Sequence, residues 1–164
     1  MKKLFYFIII LIFGACSVTT EEDTTSSTTI PDYETTTLSG KIIDTSWTFK
    51  TGRVTVPTSS TGSYSVSMIN DNLSNACSSS YSYTASNPLV YFSRDNLTVG
   101  ETELGWGTGY GSVSFLDGST SYLVTKGKIS IDTHTTTAGT GKMYAKFGSH
   151  SEINGTFTLS RCCL

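Results

Sequence analysis

One glycine-rich run carries the side chains best suited to binding a ligand. From Gly105 to Gly111, glycine occupies every second position, and Trp106, Thr108 and Tyr110 lie between the glycines. If extended, the run presents these three side chains on one face and bare backbone on the other. Trp106 and Tyr110 therefore form a candidate platform for stacking on a sugar ring or an apolar ligand. The alternative is a flexible hairpin connection with Trp106 tucked into the core.

Other candidate chemistry is sparse. His134 and His150 lie in hydrophilic segments without a histidine or carboxylate at metal-ligand spacing, which favours solvated turn residues. The sequence has no nucleophile elbow, zinc-hydrolase motif or phosphate loop. The acid-bearing loop 70–72 offers oxygen ligands but lacks the spaced acids of a calcium loop, and Asn-Asp turn chemistry explains it equally well. We therefore predict no metal, no cofactor and no catalytic residue.

Length and charge limit the classes of protein that this chain can belong to. Its 164 residues suit one modest domain, and 11 Lys and Arg against 13 Asp and Glu leave a formal charge of −2. No basic excess is available to bind a nucleic-acid backbone, so we predict no nucleic-acid partner. Serine and threonine are abundant and strong helix formers are scarce, which favours strands and turns.

From Leu38 onward, apolar and polar residues alternate and turn residues interrupt the pattern about every ten positions. Such a pattern is typical of an antiparallel β-sandwich or a partly closed barrel of about 8–9 strands. Equally spaced glycines at 127, 141 and 155, each two positions before a hydrophobic residue, predict a meander at the C-terminal end. The predicted strands span 38–43, 47–56, 63–69, 89–93, 103–107, 111–116, 122–132, 141–147 and 153–162.

The N-terminus has the layout of a signal peptide. Lys2 and Lys3 precede a ten-residue apolar run, which is followed by Gly14 and Ala15 and then Cys16. As a helix the run reaches only about 15 Å, roughly half the thickness of the hydrocarbon core, which disfavours a permanent transmembrane helix. The sequence therefore predicts a removed signal peptide over residues 1–15.

Residues 13–16, Phe-Gly-Ala-Cys, resemble the lipobox of bacterial lipoproteins, although that family usually has Leu, Val or Ile where Phe13 stands. The resemblance implies that the Cys16 thiol receives diacylglycerol, that cleavage makes Cys16 the first mature residue, and that acyl chains hold the protein on a membrane. Ser17 resembles the proteobacterial pattern for outer-membrane sorting. We expect a bacterial cell-envelope location, with the outer membrane favoured and the exposed side left open. A soluble secreted protein is the alternative.

Between the predicted anchor and the domain, residues 17–37 contain five acids, no Lys or Arg and almost nothing apolar. This composition predicts that residues 16–37 consist of the lipidated cysteine and a disordered tether, followed by a β-domain over 38–164. The Gly-Lys-Ile strand, the Trp-Thr-Phe strand and the closing Gly-x-hydrophobe run resemble the β-domains of small uncharacterised bacterial lipoproteins. That resemblance implies a fold and a location but no activity.

The lipobox resemblance assigns Cys16 to lipid and leaves three cysteines in an oxidising compartment. We predict a disulfide between Cys77, which lies in a long polar segment, and Cys162, which ends the last strand. Cys163 is the competing partner for Cys77, since a Cys162–Cys163 bridge between neighbours would be strained. Without a Cys-x-x-Cys spacing, a redox or metal site is disfavoured.

These observations favour a lipid-anchored envelope protein whose β-domain binds or associates without catalysis, with a protein or a glycan as partner. A barrel-type carrier of a small apolar ligand is the main alternative, and it requires an apolar interior cavity. An enzyme of unrecognised type is the third class. It requires a cleft that gathers a histidine with several of Asp95, Glu101, Glu103, Asp117 and Asp132.

Overall fold

The computed structural model describes residues 29–59, 61–78, 81 and 87–163. The predicted signal peptide, Cys16 and the first part of the predicted tether lie outside these ranges. All regular elements in the described ranges are β-strands. They are β1 (Ser39–Ile42), β2 (Thr45–Thr48), β3 (Thr51–Thr55), β4 (Tyr64–Ile69), β5 (Leu89–Arg94), β6 (Gly100–Leu104), β7 (Ser114–Asp117), β8 (Thr120–Leu123), β9 (Lys126–His134), β10 (Ala138–Phe147) and β11 (Ser151–Cys162). Within the described ranges, no helix is long and apolar enough to cross a membrane.

Nine strands form one sheet in the order β6-β9-β10-β11-β3-β4-β5-β7-β8, which curls into a half-barrel. β1 and β2 form a hairpin, and β1 pairs with the first part of β11. β3 pairs with the last part of β11, and this is the one parallel pair among the named strands. The predicted all-β fold with a partly closed sheet is confirmed, as is the meander, formed by β9, β10 and β11.

The strand bounds differ from the prediction where the chain changes partners. The predicted strand over 47–56 divides into β2 and β3 because Phe49 N–H donates to the carbonyl of Leu38 whereas Lys50 N–H donates to that of Ile69. The predicted strand over 122–132 likewise divides into β8 and β9. The alternation of apolar and polar residues does not indicate which strand pairs with which. It therefore predicts one strand where the structure has two strands with different neighbours.

The apolar side of the curled sheet is filled with side chains. The two-residue period places Ile129 and Ile131 of β9 inside and the intervening Ser130 outside, and the neighbouring strands follow the same rule. The largest fully buried side chains in the described part are Trp47, Phe92, Phe115, Leu38, Ile42, Met68, Leu104, Ile129, Met143, Ile153, Val54 and Val66. These side chains form the apolar core of the domain in the described part of the chain.

Gly155 of β11 marks a close crossing of two chain segments. Its φ is +138°, and a Cβ placed there would lie 2.6 Å from the carbonyl oxygen of Thr36 and 2.7 Å from the backbone of Leu38. Glycine permits this close approach of another backbone, because it has no side chain at the crossing. The chain that enters the domain therefore lies directly on β11.

Candidate functional site

The glycine-rich run forms a closed loop at the end of β6. Gly111 N–H donates to the Glu103 carbonyl over 2.8 Å, and Gly105 N–H donates to the Gly111 carbonyl over 3.4 Å. Gly107 and Gly109, with φ of +106° and +93°, turn the chain between these bonds in a region that other residues rarely adopt. Consequently β6 ends at Leu104, before the predicted end at Gly107.

The loop holds two aromatic side chains in solvent. Trp106 is 69% exposed and Tyr110 is 46% exposed, and they are the two most exposed aromatic residues in the described part of the chain. The Tyr110 ring lies close to the base of the loop, where a Cβ at Gly105 would be 3.3 Å from its Cδ1 atom. The hypothesis that Trp106 packs into the core is therefore wrong. The hypothesis of an aromatic platform stays a prediction, but the loop is folded and not extended.

Trp106 and Tyr110 line an open cleft of about 500 Å³. This volume lies within the roughly 300–1,000 Å³ typical of small-molecule sites. The cleft combines two aromatic residues, two aliphatic residues, a carboxylate and an amine, which together suit a ligand with both apolar and polar faces. Its lining residues are Ile30, Glu103, Leu104, Gly105, Trp106, Tyr110, Thr125 and Lys126.

The strands at the edge of the sheet fix most of this lining. Glu103 and Leu104 end β6, Lys126 begins β9, and the register pairs Leu104 with Gly127. Leu104 is buried, so the outward alternation of β6 turns the Glu103 side chain to the outer face. Two hydrogen-bonded strands and a closed loop thus present the charged and aromatic groups together.

Ile30 reaches the cleft because residues 30–36, called the strap below, lie across the outer face of the sheet. Asn154 of β11 contacts the strap twice: its Oδ1 accepts from Glu34 N–H over 3.1 Å, and its Nδ2 donates to the Asp32 carbonyl over 3.0 Å. Thr156 N–H donates to the Thr36 carbonyl over 2.8 Å. Asp32, Glu34 and Thr36 fall within the predicted tether, yet their backbone groups are bonded to the domain.

Side-chain contacts hold the middle of the strap on β9. Lys128 Nζ lies 4.6 Å from the centre of the Tyr33 ring and 3.8 Å from Asp32 Oδ1. Burial raises the pKa of the Tyr33 hydroxyl, and the nearby Glu101 carboxylate of β6 raises it further. The strap thus crosses from β11 over β9 to β6 and ends at the cleft.

The structure bonds Cys77 to Cys162, the pair that the sequence favours, with their Cα atoms 5.2 Å apart. Cys162 is buried at the end of β11, whereas Cys163 is free and exposed. The bridge joins residues 85 positions apart, so it closes a large part of the domain into one loop. Cys16 lies outside the described residues.

Both histidines have partners that the sequence did not reveal. His150 Nδ1 lies 2.6 Å from Asp44 Oδ2, which links the β10–β11 turn to the β1–β2 turn. The bond from His150 and a weaker one from Lys41 lower the pKa of the Asp44 carboxyl. His134 Nε2 lies 3.5 Å from an Arg161 nitrogen. These partners are remote in sequence, so no local spacing predicts them.

Two of the acids considered for catalysis, Glu101 and Asp132, lie near the same group, because both raise the pKa of the Tyr33 hydroxyl. Asp95 accepts a hydrogen bond from Ser63 over 2.8 Å, and Asp132 pairs with Lys142 over 3.5 Å. Glu103 lines the cleft, while Asp71 of the acid-bearing loop accepts from the Asn87 amide over 2.9 Å. Among the described residues, no three His, Cys, Asp or Glu side chains are grouped so that they could hold a metal ion.

No family model matches this chain, and neither a curated protein nor a solved structure matches it.

Proposed function

We propose that this chain is a lipid-anchored cell-envelope protein whose β-domain binds a glycan, without catalysis, in the cleft beside Trp106. The observation that carries the proposal is the exposure of Trp106, 69%, in a cleft that also holds Tyr110. Large aromatic side chains are normally buried in soluble domains, so two of them held in solvent on one closed loop favour a binding role.

The chemistry of the cleft favours a sugar ring as the bound group. The C–H face of a sugar packs on an aromatic ring, and its hydroxyl groups require polar partners at the rim. Trp106 and Tyr110 offer the aromatic faces, while the Glu103 carboxylate offers an acceptor. Hydrogen bonds that involve a charged group are stronger than neutral ones, so Glu103 would orient the ring.

Fluorescence titration of the full chain in detergent tests the glycan proposal. The probes are cellotriose and its 2-acetamido analogue chitotriose, and the signal expected to respond is that of the exposed Trp106. Trp106→Ala should abolish the response, whereas the control Tyr91→Ala, at an exposed tyrosine on β5 outside the cleft, should retain it. A wild-type protein that binds neither probe would contradict the proposal.

The membrane part of the proposal is supported by the lipobox resemblance of residues 13–16. Two or three acyl chains on Cys16, each methylene contributing about 0.8 kcal/mol on insertion, would hold the domain on a bilayer. Cys16→Ala should move the protein to the soluble fraction, and Cys163→Ala should leave it on the membrane. Retention of the Cys16 variant on membranes would refute the lipid anchor. Protease treatment of intact cells, with disrupted cells as control, then distinguishes a surface domain from a periplasmic one.

A further inference from the structure

The strap and the cleft meet at Ile30. Every other residue that lines the cleft comes from the segments 103–110 and 125–126, at the edge of the sheet. Ile30 instead belongs to the chain that enters the domain, and bonds to a strand on the far side of β9 and β10 hold that chain in place. One wall of the cleft therefore depends on contacts made well away from it.

We propose that the strap is part of the ligand site: Ile30 supplies an aliphatic wall that selects a sugar bearing a methyl-containing substituent such as an acetamido group, and Asn154 positions that wall. The proposal rests on the glycan-binding function proposed above and names its substrate class. Asn154 is a positioning residue, because it acts on the ligand only through the strap.

Asn154 is suited to this role by its two bonds. Its amide group satisfies one donor, Glu34 N–H, and one acceptor, the Asp32 carbonyl, on the same short segment. This bidentate contact fixes both the position and the direction of the strap backbone on β11. Gly155, the next residue, has no side chain, so the backbone of the strap can contact β11 closely at Thr36.

The groups in the cleft differ in which parts of a sugar they can contact. Aromatic faces and charged groups recognise a ring and its hydroxyls, which cellotriose and chitotriose present in similar ways. An aliphatic side chain adds contact only to an apolar substituent. Burial of one methyl group contributes about 0.8 kcal/mol, which corresponds to a preference of roughly fourfold.

The preference for chitotriose over cellotriose is measured for the full-length wild type and three variants. Ile30→Ala and Asn154→Ala should each lower the preference by about fourfold, whereas Thr158→Ala, an exposed site on the same strand, should keep it. Hydrogen exchange at the Glu34 amide should accelerate in Asn154→Ala and not in Thr158→Ala, because only the former loses the bond to that amide. Exchange at β4 should stay slow in both, which shows that the variants are folded.

The outcomes separate the two proposals. Binding of both probes with a preference that Ile30→Ala leaves unchanged overturns the strap proposal and leaves the glycan site intact. Absence of binding by the wild type overturns the glycan proposal. In that case, acrylamide quenching of Trp106 fluorescence in the ligand-free protein tests whether the strap forms a wall of the cleft. Greater quenching in Asn154→Ala than in Thr158→Ala supports the strap as a wall of the cleft, and equal quenching overturns it.

Discussion

The two tryptophans of this chain lie in opposite environments. Trp47 of β2 is 1% exposed and its indole N–H donates to the Pro88 carbonyl over 2.9 Å. Trp106 is 69% exposed at the tip of a glycine-rich loop. Burial of apolar area stabilises a fold, which explains the presence of a tryptophan at position 47. The exposed side chain of Trp106 gains no such stabilisation, so stability does not explain a tryptophan there. The difference separates the side chains that hold the domain together from those available to a ligand.

The same contrast appears at the adjacent cysteines. Cys162 is buried and bonded to Cys77, whereas Cys163 points into solvent as a free thiol. The same residue type therefore has two environments at neighbouring positions: Cys162 is the buried last residue of β11, whereas Cys163 follows the strand and is exposed. Substitutions at these matched pairs test the contrast directly, and the largest effects are expected at the buried member of each pair.

Trp47→Ala should lower the free energy of unfolding by about 3–5 kcal/mol, because it leaves a cavity and removes the donor for the Pro88 carbonyl. Trp106→Ala should change it by no more than about 0.5 kcal/mol. Urea denaturation of the two full-length variants, followed by circular dichroism, measures both values. Equal destabilisation would break the comparison, because it would make Trp106 part of the structural core.

Removal of the disulfide should have a somewhat smaller effect. Cys77→Ser and Cys162→Ser should each cost about 2–5 kcal/mol, since the bridge restricts the unfolded chain over a separation of 85 residues. Cys163→Ser is the matched control and should unfold like the wild type. The comparison between the neighbouring cysteines fails if Cys77 reacts with an alkylating reagent in the native, unreduced protein.

The sequence was sufficient for the class of fold and for most strand positions. β4, β10 and β11 follow from alternation alone, because each has one buried face and the two-residue period is strong. Alternation could not predict the parallel pairing of β11 with β3, since register and partner depend on contacts remote in sequence. For the same reason, alternation predicted single strands over 47–56 and 122–132, each of which the structure divides into two strands.

The candidate site was predicted in part. Trp106 and Tyr110 were identified from the glycine repeat, which has an unusual composition whether or not the loop is extended. Ile30 and Asn154 were missed, because the strap has a composition typical of disorder and its order comes from bonds to a strand 120 residues away. A polar segment that is hydrogen-bonded to a sheet need not contain apolar residues, so its composition alone predicts a disordered, solvent-exposed segment.

The smallest effect is expected at the contact between two exposed turns, Asp44 and His150. Their bond, and a weaker one from Lys41, lower the pKa of the Asp44 carboxyl below its usual value of 3.8. A carboxyl whose pKa is lower in the folded than in the unfolded state adds stability above the unfolded pKa, and this is lost as the pH falls through the folded pKa.

Asp44→Asn should therefore lower the thermal midpoint slightly at pH 7, and this effect should shrink as the pH falls through the folded-state pKa of the wild-type carboxyl. Comparison with His150→Gln and with the double variant isolates the contribution of the pair, because a true pair makes the two single effects non-additive. A large fall in the thermal midpoint at pH 7 would show that the Asp44–His150 contact stabilises the fold as strongly as a buried residue does. A small fall would agree with the contrast between the two tryptophans. Exposed polar contacts between turns add little stability, whereas the packed side chains of the inner face add most of it.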